Sequence, residues 1–302
     1  MAVDPVLLLA TAERLLEEHG GLVHARRFFE AGLTGPDLGR LRHLGAVLRP
    51  RIGWYLDPTA PQEAVRAVRV GGVLGCTSAA ATWGIAVPAG PADRVHVSAR
   101  HDLTRMRHST DPKRHVHAGD DLAVRLHWER RIEPVRGWRV SPADAIAQMA
   151  ACTSVRWLTA AVDSARNSTS EPPVMAAASL AVLRAALPQH LREAVDRSDP
   201  LAESSGETFI RLEAEDRRIP MRSQAWLTSL YRADHLVDEW LPVESDGMKF
   251  HSGRAVERDR ARDAVLARLG TPPLRFTQNQ AVGDTRFVGD VIERTWLRGR
   301  PR

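Results

Sequence analysis

Lysine is nearly missing from this chain of 302 residues, because only Lys113 and Lys249 stand among its 42 basic residues. The formal charge of +5 therefore rests on arginine. The forked guanidinium of arginine suits phosphate recognition, so a nucleic-acid partner is compatible with the composition. An arginine-rich composition is also common in proteins from GC-rich genomes, which leaves a purely solvated role for these side chains open.

Cysteine is scarce as well, with Cys76 and Cys152 far apart in sequence. Such a pair predicts neither a disulfide framework nor a cysteine-based zinc site, and it fits a reducing cytoplasm. Long apolar runs are also lacking at the N-terminus, since the run at 6–10 is too short to cross a bilayer. An acidic amphipathic pattern follows that run instead of a cleavage site. We therefore expect a cytoplasmic protein with no membrane partner.

Length and element patterns predict an α/β multidomain protein. Breaks rich in Ser and Pro at 168–173 and at 197–200 suggest the later boundaries. We expect an N-terminal domain at 1–58, a mixed α+β middle region at 59–199 and a C-terminal domain with a mixed sheet flanked by helices at 200–302.

The N-terminal pattern predicts a winged helix-turn-helix. Helical patterns cover 5–19, 23–30 and a third segment that begins at Thr34 and ends near Gly45, and two short strands around a basic turn follow at 46–56. The third helix would present Arg40, Arg42 and His43 to a DNA groove, while Arg49 and Arg51 in the wing would contact phosphates. The alternative is a small packing domain whose arginines are only solvated.

This stretch resembles the N-terminal domain of AbiEi-type antitoxins. The matching steps run from Gly21 to Arg26 and from Leu48 to Tyr55, and they cover about the first fifth of the chain. The resemblance implies a DNA-binding or regulatory role for this domain.

In the middle region, a helical pattern spans 62–85 and strand-like alternation marks 95–98 and 122–128. Six histidines lie in this region: His96, His101, His108, His115, His117 and His127. No pair has helical ligand spacing and no cysteine accompanies them in the sequence, so we interpret them as exposed on strands, with a metal site as the minor alternative.

The C-terminal domain has the element order helix, three strands, helix, strand, helix. We expect strands at 221–230, 232–237, 241–245 and 273–277, and helices at 253–269 and 284–297. Ser204 and Glu207 fit a capping box at the start of the first helix, with Arg211 as an ionic partner of Glu207. Ser141 and Pro142 start an earlier helix in the same way.

Carboxylates gather at the end of the third strand. Residues two apart in a strand share a face, so Glu244 and Asp246 point the same way, and Asp234 on the neighbouring strand can join them. Acidic groups that converge in this way repel one another unless a cation lies between them. The pattern therefore predicts a Mg²⁺ or Mn²⁺ site formed by Asp234, Glu244 and Asp246.

Residues 200–280 resemble the endonuclease-like family DUF559, which is related to the very-short-patch-repair endonucleases and to the PD-(D/E)XK nuclease fold. The matching steps include 202–208, Gln224, Asp234, 243–247, Phe250-His251, 259–263 and 274–277. The resemblance implies a restriction-endonuclease-like sheet, with Asp234 and Glu244 as metal ligands, Glu207 as the helix carboxylate and His251 as a group that positions water or phosphate. Asp246 departs from the pattern, because it occupies the place of the usual lysine.

From these features we expect a Mg²⁺-dependent DNA endonuclease or nickase with catalytic Glu207, Asp234, Glu244, Asp246 and His251. Lys249, Arg258 and Arg262 are expected to bind DNA phosphates. The alternative is a DNA-binding, antitoxin-like regulator with an inactive nuclease fold, which the aspartate at position 246 favours. A homodimer is compatible with either function.

Overall fold

A computed structural model describes residues 3–88, 94–128, 131–167, 173–229, 231–246 and 273–299. The chain is mixed α and β, with several small sheets, and it forms two compact units. Unit 1 comprises 1–83, 88–152 and 181–187, and unit 2 comprises 84–87, 153–180 and 188–302. This division differs from the three predicted domains, because the boundary expected near residue 200 falls inside unit 2.

Unit 1 begins with the predicted alternation of helices and a terminal hairpin. Its elements are α1 (Pro5–Glu18), β1 (Leu22–His24), α2 (Ala25–Glu30), α3 (Gly35–His43), β2 (Leu48–Arg51) and β3 (Trp54–Leu56). The sheet has the order β1-β3-β2, and its pairs are antiparallel. Residues 23–24, which we expected to be helical, are in a strand, because Val23 pairs with Tyr55 and is buried in the shared core.

The remainder of unit 1 contains α4 (Gln62–Val70), β4 (Val73–Leu74), α5 (Cys76–Thr82), β5 (Val95–Ala99), β6 (Met106–Arg107), β7 (His115–Val116), β8 (Val124–Trp128) and α6 (Pro142–Met149). A sheet of order β4-β5-β8 pairs β5 in parallel with β8. The continuous helix expected over 62–85 is wrong, because Gly71 adopts a left-handed φ of 117° and ends α4. The N-cap predicted at Ser141 is confirmed by its hydrogen bond from the Asp144 backbone.

Unit 2 is built around one mixed sheet. Its elements are α7 (Val155–Arg166), α8 (Ala177–Ala186, shared with unit 1), a 3-10 turn (Gln189–Leu191), α9 (Glu193–Asp196), α10 (Ser205–Asp216), β9 (Met221–Thr228), β10 (Tyr231–Val237), β11 (Leu241–Asp246), β12 (Leu274–Thr277), α11 (Gln278–Gly283) and α12 (Thr285–Arg298). The strand order is β12-β11-β10-β9, with β11 and β12 parallel and the other pairs antiparallel. The four predicted strands and the final helix are confirmed, whereas α11 was not predicted.

Helix α10 packs apolar residues on this sheet and makes both polar and aromatic contacts with α7. Ile210, Val243 and Phe276 belong to one buried cluster. On the other side, Arg211 donates to the carboxylate of Asp163 at 2.9 Å, and both side chains are buried. Burial raises the pKa of Asp163 to about 6 in spite of this cationic partner. Because these contacts hold α10 in place on the sheet, they also determine the position of the residues in its first turn.

No helix in the described part of the chain is both long and apolar enough to cross a bilayer.

Candidate functional site

Glu207 lies in the first turn of α10, and its side chain is only 4% exposed. Its backbone N–H donates to the Ser204 hydroxyl at 3.2 Å, as the capping pattern predicts. The carboxylate, however, accepts from the backbone of Glu203 at 3.0 Å and from the side-chain amide of Gln224 at 2.8 Å. The expected ionic pair with Arg211 is wrong, because that guanidinium binds Asp163 and Glu215 instead. Glu207 is thus directed toward the sheet.

Gln224 holds an unusual backbone conformation next to this carboxylate. Its φ is 52°, in the left-handed region that residues with a side chain rarely adopt. Such strain inside a strand persists only where the surroundings enforce it, and it occurs preferentially at functional sites. The irregularity in β9 turns the Gln224 side chain to Glu207 at the junction of α10 and the sheet.

Asp234 is the second carboxylate at this junction. It lies on β10, next to β11 as predicted, and its Oδ2 accepts from the backbone N–H of Ser245 at 2.9 Å. Burial and the negative charge of Asp234 together raise the pKa of Glu207 to about 7. The two acids therefore lie close enough to repel each other in a partly desolvated position.

Glu244 is the third carboxylate, and the fold already neutralises it. Its side chain is 2% exposed on β11, where it accepts from the Tyr231 hydroxyl and pairs with Arg275 at 3.0 Å. Arg275 is the partner of Glu244 across the parallel β11–β12 pair. The sequence motif at 274–277 contains Arg275 but indicates no role for it. The strand register is the signal that could have identified it.

Ser245 and Gly206 form a close contact between the sheet and α10. A Cβ on Gly206 would clash with the hydroxyl of Ser245 and with the carboxamide of Gln278. The Ser245 hydroxyl is buried and has no hydrogen-bond partner among the described residues. Only glycine at 206 allows α10 to bring Glu207 this near to β11.

The structure brings only some of the predicted site residues close to one another. Glu207, Asp234 and Glu244 come from α10, β10 and β11, and Asp246 is exposed at the end of β11, in register with Thr277. In the described residues, these carboxylates do not form a group of three with mutually close oxygens. Lys249, His251, Arg258 and Arg262 lie outside the described residues, as does the helix expected at 253–269.

The predicted DNA-binding residues of unit 1 fall into two groups. Arg42, His43 and Arg49 are exposed. In contrast, Arg51 donates to the backbone carbonyls of Arg69 and Val70 at 3.2 and 3.1 Å, and also to that of Arg105. Burial lowers the pKa of Arg51. Its guanidinium thus joins three backbone segments of unit 1, and its predicted phosphate contact stays a prediction.

Arg40 is partly exposed but also makes contacts within the chain. Its guanidinium donates to the carbonyl of Val3 at 3.0 Å and lies 3.5 Å from the carboxylate of Asp37. A cavity of about 610 Å³ opens in the same unit beside the wing. Five arginines contribute to its lining: Arg27, Arg51, Arg100, Arg131 and Arg136. The described surface of unit 1 therefore has basic groups beyond those that the sequence motif indicated.

A second cluster lies in unit 1, where Cys76, His96, His127 and Cys152 meet. One ligand atom from each residue lies within 4.8 Å of all the others. Our expectation that no cysteine accompanies these histidines is wrong in three dimensions, because the parallel β5–β8 pair, the start of α5 and the loop after α6 bring distant residues together. Both cysteines are free thiols in the structure.

No family model matches the chain, and a search of the curated proteins finds no match.

Proposed function

We propose that this chain is a Mg²⁺-dependent DNA endonuclease or nickase. In this proposal, unit 2 is a restriction-endonuclease-like domain and residues 1–58 are a winged helix-turn-helix that binds DNA. The observation that carries the proposal is the junction of α10, β10 and β11, where Glu207 and Asp234 lie in each other's field beside the Glu244–Arg275 pair. The helix–strand order of unit 2 and its mixed sheet support the same assignment.

The donor set is suited to a hard cation. Glu207 and Asp234 offer carboxylate oxygens, and Mg²⁺ commonly uses one or two carboxylates while water and substrate phosphate complete its octahedron. When bound, Mg²⁺ would polarise a phosphate oxygen and lower the pKa of a coordinated water. Glu244 can act as a further ligand only if it exchanges Arg275 for the cation.

Glu207 can hold a proton near neutral pH because its pKa is raised to about 7. Its Oε2 already accepts two N–H donors, so the proton resides on Oε1. Glu207 and Asp234 would hold a cation in their deprotonated forms, so Glu207 would have to release this proton to act as a ligand. Gln224 donates to the Glu207 carboxylate and so holds it at the junction of α10 with the sheet.

Arg275 supplies a positive charge in a motif that lacks the usual lysine. It lies on β12 opposite Glu244, and its side chain is 32% exposed. A guanidinium in this position can bind a phosphate oxygen on which negative charge develops. Asp246 at the exposed end of β11 does not supply such a charge, so Arg275 takes the role that lysine has in the nuclease motif.

The test is cleavage of supercoiled plasmid with Mg²⁺, with Mn²⁺ and with chelator. We expect relaxed circles if one strand is cut and linear DNA if both are cut, with loss of cleavage in Asp234→Ala and Glu244→Ala. Asp290→Ala is the matched control, because it removes an exposed acid of the same unit. Cleavage at the wild-type rate by both site variants would overturn the proposal.

Asp246 is tested with two further variants. If Asp246 is a ligand, Asp246→Asn lowers both the affinity for Mg²⁺ and the rate of cleavage, because an amide oxygen brings no charge. If Asp246 only occupies the place of a missing cation, Asp246→Lys accelerates single-turnover nicking. A Mg²⁺ titration of both variants separates the two roles.

A second function is favoured by the contacts of Glu244. Because Tyr231 and Arg275 already satisfy this carboxylate, the same fold can exist without a metal as the scaffold of a DNA-binding regulator. The regulator is expected to bind duplex DNA without cleaving it in either Mg²⁺ or Mn²⁺. The nuclease is expected to bind duplex DNA and to cleave it.

A further inference from the structure

We propose that Cys76, His96, His127 and Cys152 bind one Zn²⁺ ion as a structural centre of unit 1. The four residues come from the start of α5, from β5, from β8 and from the loop after α6. This site is separate from the carboxylates of unit 2, and it does not depend on whether the chain is a nuclease.

The distances among the donor atoms of His96, His127 and Cys152 are close to those of a tetrahedral zinc site, and Cys76 Sγ lies within 4.8 Å of all three. With usual bond lengths, tetrahedral geometry separates two nitrogens by about 3.3 Å and a nitrogen from a sulfur by about 3.6 Å. In the structure, His96 Nδ1 and His127 Nε2 are 3.1 Å apart. Cys152 Sγ lies 3.9 and 3.8 Å from the same two nitrogens. A small expansion between the rings would therefore admit the ion.

The two histidines share one face of the sheet. His96 is opposite Arg125 in the parallel register, and His127 lies two residues further along β8, so both rings project from the same side. The rings stack with centroids 5.2 Å apart and an angle of 25° between their planes. A single N–H···N hydrogen bond can join them without a metal, and the ion would replace that shared proton.

The backbone around the ligands is firmly held. Cys76 has a φ of 48°, a strained value for a residue with a side chain, and its N–H donates to Gln148 at 2.8 Å. The N–H of His96 donates to the Ser78 hydroxyl at 3.0 Å, and Arg125 donates to the carbonyl of Ala151 beside Cys152 at 3.1 Å. Such supporting hydrogen bonds are typical of metal sites, whose ligands must be oriented before the ion binds.

The ligand types determine the class of ion and of site. Thiolate and imidazole donors in tetrahedral positions select Zn²⁺ over Mg²⁺, which prefers oxygen. Four protein ligands fill the coordination shell and leave no position for a substrate, which makes the centre structural. Bound zinc would join the two strands to α5 and to the loop after α6, and it would thereby stabilise unit 1.

The experiment measures metal content and stability of the full chain, purified under reducing conditions without chelator. We expect about one zinc per chain by elemental analysis. Stripped protein should regain its melting temperature with Zn²⁺ but not with Mg²⁺, and Co²⁺ should produce the visible spectrum of a tetrahedral site together with thiolate charge-transfer bands.

Cys152→Ser and His127→Ala should each lose the bound zinc, whereas His101→Ala, which changes an exposed histidine of the same unit, should retain it. Wild-type chain that is reduced, offered stoichiometric Zn²⁺ and still neither binds the ion nor gains stability would overturn the proposal. So would an intact mass two hydrogens lower after purification, since that mass identifies a disulfide between Cys76 and Cys152. These readouts need no variant to fold and no cleavage assay.

Discussion

Replacement of Glu207 by glutamine should make unit 2 more stable above neutral pH. The carboxyl has a folded-state pKa of about 7 against an ordinary value of 4.5, so its proton stabilises the fold fully below pH 4.5 and that contribution is lost as the pH rises through 7. A difference of 2.5 in pKa corresponds to about 3 kcal/mol. The glutamine side chain is an uncharged isostere of the carboxyl, and its amide oxygen can accept both N–H donors.

The expected difference therefore depends on pH. In chelator, the Glu207→Gln variant should exceed the wild type by about 3 kcal/mol at about pH 8, and by less than about 1 kcal/mol at about pH 5. Because the chain has two units, a single unfolding free energy is poorly defined. A denaturant titration followed by hydrogen exchange in the peptide that covers α10 measures the relevant stability.

Two further measurements identify the origin of the effect. In an Asp234→Asn background, the gain from Glu207→Gln should shrink, because the charge of Asp234, one of the causes of the raised pKa, is gone. Mg²⁺ at about 100 times its dissociation constant should stabilise the wild type by about 2.7 kcal/mol at alkaline pH, and the glutamine variant less. An advantage of the glutamine variant that is the same at both pH values would refute the reasoning.

Three other substitutions test the site, the packing of α10 and the DNA surface. Gly206→Ala should lower plasmid cleavage and destabilise unit 2 by about 1 to 3 kcal/mol, because the new methyl group forces α10 from β11; nicking rates and hydrogen exchange measure the two effects. Asp163→Ala should cost about 3 kcal/mol in denaturant titration, because Arg211 loses its buried acidic partner and keeps the more exposed Glu215 at 2.7 Å. The Arg42→Ala, Arg49→Ala double variant should bind duplex with a salt dependence shallower by about two in log–log slope, measured by fluorescence anisotropy.

Each of these substitutions has a matched control. Gly283→Ala adds a methyl group where the structure has open space, so it should leave cleavage unchanged. Arg14→Ala breaks an exposed ionic pair with Glu18 and should cost less than about 1 kcal/mol. Arg51→Ala should destabilise unit 1 while the salt slope stays near that of the wild type. The opposite pattern, with a changed slope and unchanged stability, would return Arg51 to the DNA surface.

Local signals in the sequence were sufficient for much of unit 2. The alternation of apolar residues predicted β9 to β12, and Ser204 correctly marked the start of α10. The short strand β1 was missed because three residues contain too little periodicity, and its pairing with Tyr55 is non-local. The side-chain partners of Glu207 were also missed, since nothing in its own helix indicates that an irregular strand will present Gln224.

The cluster of Cys76, His96, His127 and Cys152 could not be predicted from the sequence for a different reason. Its members are separated by 31 residues between His96 and His127 and by 25 between His127 and Cys152. Metal-binding motifs are recognised by short spacing, whereas these ligands depend on a parallel strand pair formed across a long connection. The register of β5 and β8 brings the two histidines together, and α5 and the loop after α6 add the cysteines.

The packing of α7 against α10 determines which fragment of unit 2 could be produced as a separate protein. A fragment that begins at residue 200 would keep the carboxylates but lose Asp163, and it would expose the ring of Phe209, which packs edge-to-face on Trp157 at 5.1 Å. Such a fragment would leave Arg211 without its buried acidic partner and would expose an aromatic surface, and exposed apolar surface promotes aggregation. The smallest fragment that retains the packing of unit 2 is therefore expected to begin at residue 153, where unit 2 resumes.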